Sequence, residues 1–390
     1  MENYHRIGWF LWLALMVGPV AGGEIRLGMV TALSGPVASL GQDFKLGVEA
    51  YFAHINRDGG INGQPLRLLV RDDGYEPARS APLVHQLVDQ EQVLALVGNV
   101  GTPTAAITVP IANESHTLLF AAYSGADLLR REPPDRYVIN YRASYAQETA
   151  AMVHGLLAAG IQPEEIAFFT QDDSYGNAGY QGAVKALENE GYADVRALSH
   201  GRYRRNTLNV EGAVASLLDA QVKPKAIIMV ATYGAAARFI RLARRDLPDA
   251  LYLNVSFVGS AALARELGKE GEGVIVTQVV PHFLADLPAT RGYLADLAAQ
   301  APTAEPGFIS LEGHLVARLL VEGLRRAGSV LTRESLVNGL EGLGTVDLGL
   351  GYPLVLDKTH HQASERIWAT QLRNGVFIPL EWENLLSSEK

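Results

Sequence analysis

The chain has 390 residues, a formal net charge of −9 and no cysteine. That length exceeds one ordinary core and calls for two domains, and the acidic balance argues against nucleic acid, whose phosphates need a basic face. Without cysteine there are no disulfides, thiolate metal sites, cysteine nucleophiles or lipid attachment at a cysteine.

Arg6 precedes an apolar run from Ile7 to Val17, and the small residues up to Gly23 follow. The run falls short of the ~20 residues that span a bilayer and fits a secretory signal peptide over residues 1–23. A periplasmic protein starting near Glu24 is the expectation. Residues 24–30 read as a strand, and Phe44, Val48, Tyr51, Phe52 and Ile55 recur behind it at helical spacing. A second strand over 66–70 closes at Asp72 and Asp73, and a helix over 77–90 follows.

Residues 94–98 make a short buried strand, and the turn around Gly101 spells out a helix start. Thr102 suits the N-cap, and Pro103 suits the first helical position. Such a joint leaves free N–H groups and a positive dipole end at the carboxyl edge of the sheet, where a carboxylate or other anion can be held. Thr102 and Thr104 add hydroxyls there. A strand at 118–120 then runs into Tyr123 and Ser124. The order βαβαβαβ implies a parallel sheet with helices on both faces.

After an extended segment at 137–142 the alternation starts again. Helices are predicted over 145–159, 178–190, 210–220 and 233–245, with strands over 166–170, 194–198, 226–230 and 252–258. Helices over 287–300, 308–326 and 332–339 follow the β-rich stretch 273–280. The tail reads as short antiparallel strands, 352–356, 366–372 and 376–379, around an Asn374-Gly375 turn. The stretches 137–142, 273–280 and 344–351 are candidate crossings between lobes that interleave in sequence. One lobe is expected from 24–142 plus 281–347, the other from 143–280 plus 348–390.

No catalytic constellation emerges. There is no Gly-x-Ser-x-Gly elbow, no phosphate-binding Gly-x4-Gly-Lys-Ser/Thr loop and no His-Glu-x-x-His. No enzyme activity, cofactor or metal is expected. His360-His361 reads as a solvated turn. Asp172-Asp173 reads as the cap of the next helix, with a cation site or an acid–base pair as the other option. The basic clusters Arg202–Arg205 and Arg241–Arg245 read as solvated faces or docking points. What recurs is position: Thr102, Thr104, Tyr123, Ser124, Tyr175, Tyr233 and Ser260 all follow strand ends, where open α/β sheets bind ligands.

Taken in order, several segments resemble the type I periplasmic solute-binding proteins, in their leucine/isoleucine/valine-binding branch. They are Gly28-Met-Val-Thr-Ala-Leu-Ser-Gly-Pro36, Ile55-Asn-Arg-Asp-Gly-Gly-Ile-Asn-Gly63, Asp72-Asp73, Val97-Gly98 with the 101–104 turn, Asp173-Ser-Tyr-Gly176 and Gly259-Ser260. The resemblance spans residues 25–379. It implies an α/β fold of two Rossmann-like lobes with parallel sheets, joined by three hinge strands, and a ligand trapped by closure. It also implies that Thr102 and Thr104, with backbone N–H groups, hold a ligand carboxylate, helped by Tyr123 and Ser124. Tyr175 and Tyr233 would close from the second lobe, beside Ser260, and Phe308 would line the side-chain pocket. Leu40 stands where relatives often carry an aromatic residue. Amino-acid binders of this family place an acid near Val258-Gly-Ser260 to meet the ligand ammonium, whereas this chain has Ser256, Ser260 and Ala261 there. A buried ammonium without a counter-charge costs several kcal/mol, so either Asp127 or Asp173 substitutes, or the ligand is not an α-amino acid. The cysteine pair of some relatives is absent. The function expected from the resemblance is capture of a small polar or carboxylate-bearing solute by a monomer, for delivery to an ABC permease. The alternative is a ligand sensor for a membrane signalling protein.

Overall fold

The computed structural model describes residues 23–385, so the expected signal peptide lies outside the described residues but for Gly23. Among the described residues no helix is long and apolar enough to cross a membrane. The first half of the chain runs β1 (Ile25–Thr31), α1 (Ala38–Arg57), β2 (Leu66–Asp72), α2 (Pro77–His85), β3 (Ala95–Val97), α3 (Thr102–Glu114), β4 (Leu118–Phe120) and β5 (Val138–Ile139). These strands form a parallel sheet in the order β2-β1-β3-β4-β5. β3 and β4 are apolar and buried along their whole length, as a sheet covered on both faces requires.

The second series is α4 (Tyr145–Ala158), β6 (Ile166–Gln171), α5 (Ser174–Asn189), β7 (His200–Tyr203), α6 (Glu211–Leu218), β8 (Ala226–Val230), α7 (Tyr233–Ala243), β9 (Leu251–Asn254), α8 (Ser260–Leu267) and β10 (Ile275–Gln278). Then come α9 (Pro288–Gln300), α10 (Phe308–Arg326), α11 (Arg333–Glu341), β11 (Gly344–Val346), β12 (Leu354–Leu356), β13 (Trp368–Arg373) and β14 (Val376–Leu380). The second sheet has the order β14-β13-β10-β9-β8-β6-β7. β13 and β14 enter it antiparallel, joined by Asn374 and Gly375, both at positive φ as the tight hairpin turn demands. β11 and β12 form a separate two-stranded ribbon.

The segment after β10 leaves the second sheet, and α9 and α10 pack on α1 of the first lobe. The approach of α10 to α1 is close because each presents a glycine to the other's backbone. A Cβ on Gly47 would meet the Ser310 carbonyl, and one on Gly313 would meet that of Phe44. The chain therefore passes between the lobes three times: from β5 to α4, from β10 to α9, and from α11 through the ribbon to β13.

Several elements differ from expectation for definite reasons. The strand expected at 194–198 is a short 3₁₀ turn, Val195–Ala197. Val195 and Leu198 are the buried residues there, a spacing of three that suits a turn and not a strand. The strand follows at His200–Tyr203, paired with β6. β9 ends at Asn254, whose side chain accepts from the N–H groups of Ala231 and Val255, and the chain bends into a 3₁₀ turn over Ser256–Val258. α5 starts at Ser174, four residues before the expected start, because Asp173 caps it by accepting from the Tyr175 N–H at 3.0 Å. His361 is no solvated residue. It is buried, with Nδ1 2.9 Å from the Val138 carbonyl and Nε2 3.3 Å from Glu341.

Candidate functional site

Four helices begin just past the carboxyl ends of parallel strands: α3 at Thr102, α5 at Ser174, α7 at Tyr233 and α8 at Ser260. Their first-turn N–H groups have no partners within the helix and carry the positive end of its dipole. α3 starts one residue earlier than expected. Gly101 is the cap at φ 104°, and Thr102 is the first helical residue. Only glycine fits that cap, since it combines left-handed backbone with a Tyr75 ring packed where a Cβ would stand.

The Thr102 hydroxyl lies 2.7 Å from that of Ser124, both buried, so these two residues converge. The Thr104 hydroxyl turns back and donates to the carbonyls of Val100 and Gly101. The Tyr123 hydroxyl donates to the Ser256 carbonyl at 3.4 Å, joining the loop after β4 to the turn after β9. Tyr175 packs its ring 4.6 Å from that of Phe257, and its hydroxyl donates to the Ala231 carbonyl. Burial pushes both tyrosine hydroxyls well above their ordinary pKa, so they stay protonated donors. Tyr233 stands beside Gly259, against which Leu40 of α1 packs from the other lobe. The Ser260 hydroxyl accepts from Gln278 at 2.8 Å. Phe308 meets the rings of His282 and Phe283 edge-on, at 5.4 and 5.0 Å.

The two acids considered as substitutes both look elsewhere. Asp127 is exposed. Asp173 caps α5 and pairs with Arg205 at 3.1 Å. Asp172 pairs with Arg202, and Arg205 also reaches Glu76 of the first lobe at 3.0 Å, with Asn206 bonded to Glu76 beside it. The bonds from Arg205 and Asn206 to Glu76 link the lobes.

Sequence reading missed the aromatic cluster at the meeting of the lobes. Phe257 sits in a ring of tyrosines, with Tyr123 at 5.4 Å, Tyr75 at 6.1 Å and Tyr145 at 6.3 Å in addition to Tyr175. Behind them lies a buried charge cluster. The Arg142 guanidinium stands 4.4 Å over the Tyr123 ring, donates to the Ser256 hydroxyl from Nη2 at 2.6 Å and sets Nε 3.1 Å from Glu312. Glu148 accepts from the Ser256 N–H, the Ser256 hydroxyl and Thr277. Burial opposes the charge on Arg142, but Glu312, Tyr123 and Glu148 more than offset it and hold its pKa above the ordinary guanidinium value. Burial pushes Glu312 up to about 7 against the pull of Arg142. A lone arginine at the end of an extended crossing, and a glutamate on the apolar face of α4, were the available signals.

Two α/β lobes, crossed three times by the chain and meeting through side chains at their strand ends, define a hinged solute-binding protein. Comparison with known proteins agrees. Residues 24–376 match the family described as periplasmic binding protein. A solved structure described as a possible leucine/isoleucine/valine-binding protein from Rhodopirellula baltica SH 1 is 46% identical, with a TM-score of 0.92, covering 95% of this chain and all of that one. A substrate-binding periplasmic protein from Ralstonia solanacearum is 28% identical, with a TM-score of 0.84, covering 92% of this chain and 100% of its own. The Leu/Ile/Val-binding protein homolog 7 of Brucella suis is 28% identical over 218 residues, and this chain spans about half (53%) of that relative's length. The chain belongs to the periplasmic binding protein family. The family consists of extracytoplasmic solute-binding proteins and not of enzymes.

Proposed function

We propose that this protein captures a small polar or carboxylate-bearing solute, an amino acid or a related compound, between its two lobes and delivers it to an ABC permease. Residues 1–23 would serve as its signal peptide. The observation that supports the reading is that helices start at strand ends in both lobes: Thr102, bonded to Ser124, opens α3 in the first, and α5, α7 and α8 start the same way in the second. Thr102, Ser124, Tyr123, Tyr175, Tyr233, Ser260 and Phe308 form the proposed contact set, with Thr104 shaping the α3 turn. Direct bonds between the lobes, such as Tyr123 to Ser256, supply a closed shape that a membrane partner can recognise. Native mass spectrometry of the mature protein, as purified and after denaturation and refolding with amino acids, carboxylates and amides, tests this. A bound small molecule of that class supports it. A refolded protein that binds no member of the panel overturns it.

A further inference from the structure

We infer that the ligand is a carboxylate without an α-ammonium group, and that Arg142 is the residue that decides this. The inference rests on the proposed capture of a solute in the cleft and names its chemical class. Arg142 is 1% exposed. Of its guanidinium nitrogens, Nη2 is taken by Ser256 and Nε is paired with Glu312. Nη1 is buried and has no hydrogen-bond acceptor among the described residues. An unused donor on a buried cation is costly to leave without a partner, and a ligand carboxylate supplies the charged acceptor that suits it.

The surrounding charges point the same way. Glu148 is consumed by three hydrogen bonds from Ser256 and Thr277. Glu312 is paired with Arg142. Arg130 spends its guanidinium on the carbonyls of Ser124, Ala126 and Arg142 and on Gln362. Burial raises the carboxyls of Glu148 and Glu312, so the two glutamates do not outweigh the two arginines, and the helix starts at Thr102, Ser174, Tyr233 and Ser260 add further positive potential. Ser256, whose carbonyl accepts from Tyr123 of the first lobe, already holds a cation of the protein itself with its hydroxyl. A ligand ammonium brought to that spot would stand next to a guanidinium at low dielectric, and like charges there repel strongly. The tyrosines around Phe257 offer apolar ring faces for the rest of the ligand.

The test uses matched pairs that differ only in the ammonium. Isocaproate is compared with L-leucine, and phenylpropionate with L-phenylalanine, by calorimetry on the refolded mature protein. The expected result is tighter binding of the deaminated member of each pair by about tenfold or more, the scale of one charge-assisted hydrogen bond. Arg142→Gln should weaken carboxylate binding about 10- to 100-fold. Ser256→Ala, which frees Nη2 and keeps the charge, should weaken it less while leaving the circular dichroism spectrum unchanged. Tighter binding of the amino acid in either pair overturns the inference but leaves solute capture intact. Binding of neutral amides alone also overturns it. No binding by any of these compounds overturns both readings.

Discussion

Phe257→Ala separates a residue that holds the lobes together from one that holds a lobe together. Phe257 is fully buried at the end of the second sheet, but two of its four ring partners, Tyr75 and Tyr123, come from loops of the first lobe. The other two, Tyr145 and Tyr175, begin helices of the second. An aromatic pair adds about 0.5–1.5 kcal/mol beyond the area it buries, so losing the two contacts between lobes weakens closure by about 1–3 kcal/mol. That is a shift of about 5- to 150-fold toward the open form. A Phe→Ala change in a core shared by the whole molecule costs about 3–5 kcal/mol instead. Small-angle scattering of the ligand-free protein reads the opening as a larger radius of gyration, and chemical denaturation reads global stability. The expected result is a clear expansion with a stability loss below the core value. An unchanged radius with the full core loss refutes the reasoning and makes Phe257 an ordinary core residue of one lobe.

Three further outcomes are expected. Thr102→Ala should weaken ligand binding by roughly 1–3 kcal/mol if its hydroxyl meets a charged group; unchanged affinity in a titration removes Thr102 from the site. Arg205→Ala cuts a half-exposed pair between the lobes, so its effect on closure should stay below about 1 kcal/mol. It should appear as faster ligand release in low salt that converges with wild type in high salt, and a salt-independent difference contradicts this. The third concerns pH: Glu312 carries a folded pKa of about 7, against an unfolded value of about 4.3. The folded state therefore binds the extra proton between these values, and stability from this group is fully present below the lower value and is lost as pH rises through the upper one. Denaturation midpoints of wild type minus Glu312→Gln should fall across that window; a flat difference would show that Glu312 titrates normally.

The lobes were legible because their strands and helices follow the periodicities that burial imposes. Ala226–Val230 and Phe308–Arg326 appear where apolar runs of two different periods place them. Candidate residues such as Thr102, Ser124 and Tyr175 could be named from the sequence, since strand-end hydroxyl and aromatic residues are tied to the turns that precede them. The cluster at the meeting of the lobes was hidden because it is assembled from distant parts of the chain. Arg142 lies 114 residues from Ser256 and Glu148 lies 129 from Thr277. No local pattern reports such partners. Phe257 read as the continuation of a strand, and only the side chain of Asn254, bonding the backbone on both sides, shows why the strand stops and the ring turns inward.

The three passages of the chain between the lobes also set the order in which the molecule can be finished. Helices α9 and α10, which cover α1, lie more than two hundred residues after it. β13, which borders β10, and β14 beyond it lie at the very end of the described chain. A chain emerging from its N-terminus during synthesis thus displays the uncovered face of α1 until residue 326 has appeared, and the open edge of β10 until residue 373 has appeared. Neither lobe can complete itself early. The interleaving that makes a hinge also holds folding back until residue 373 is available, so a tail truncation before β13 should leave the second sheet unfinished.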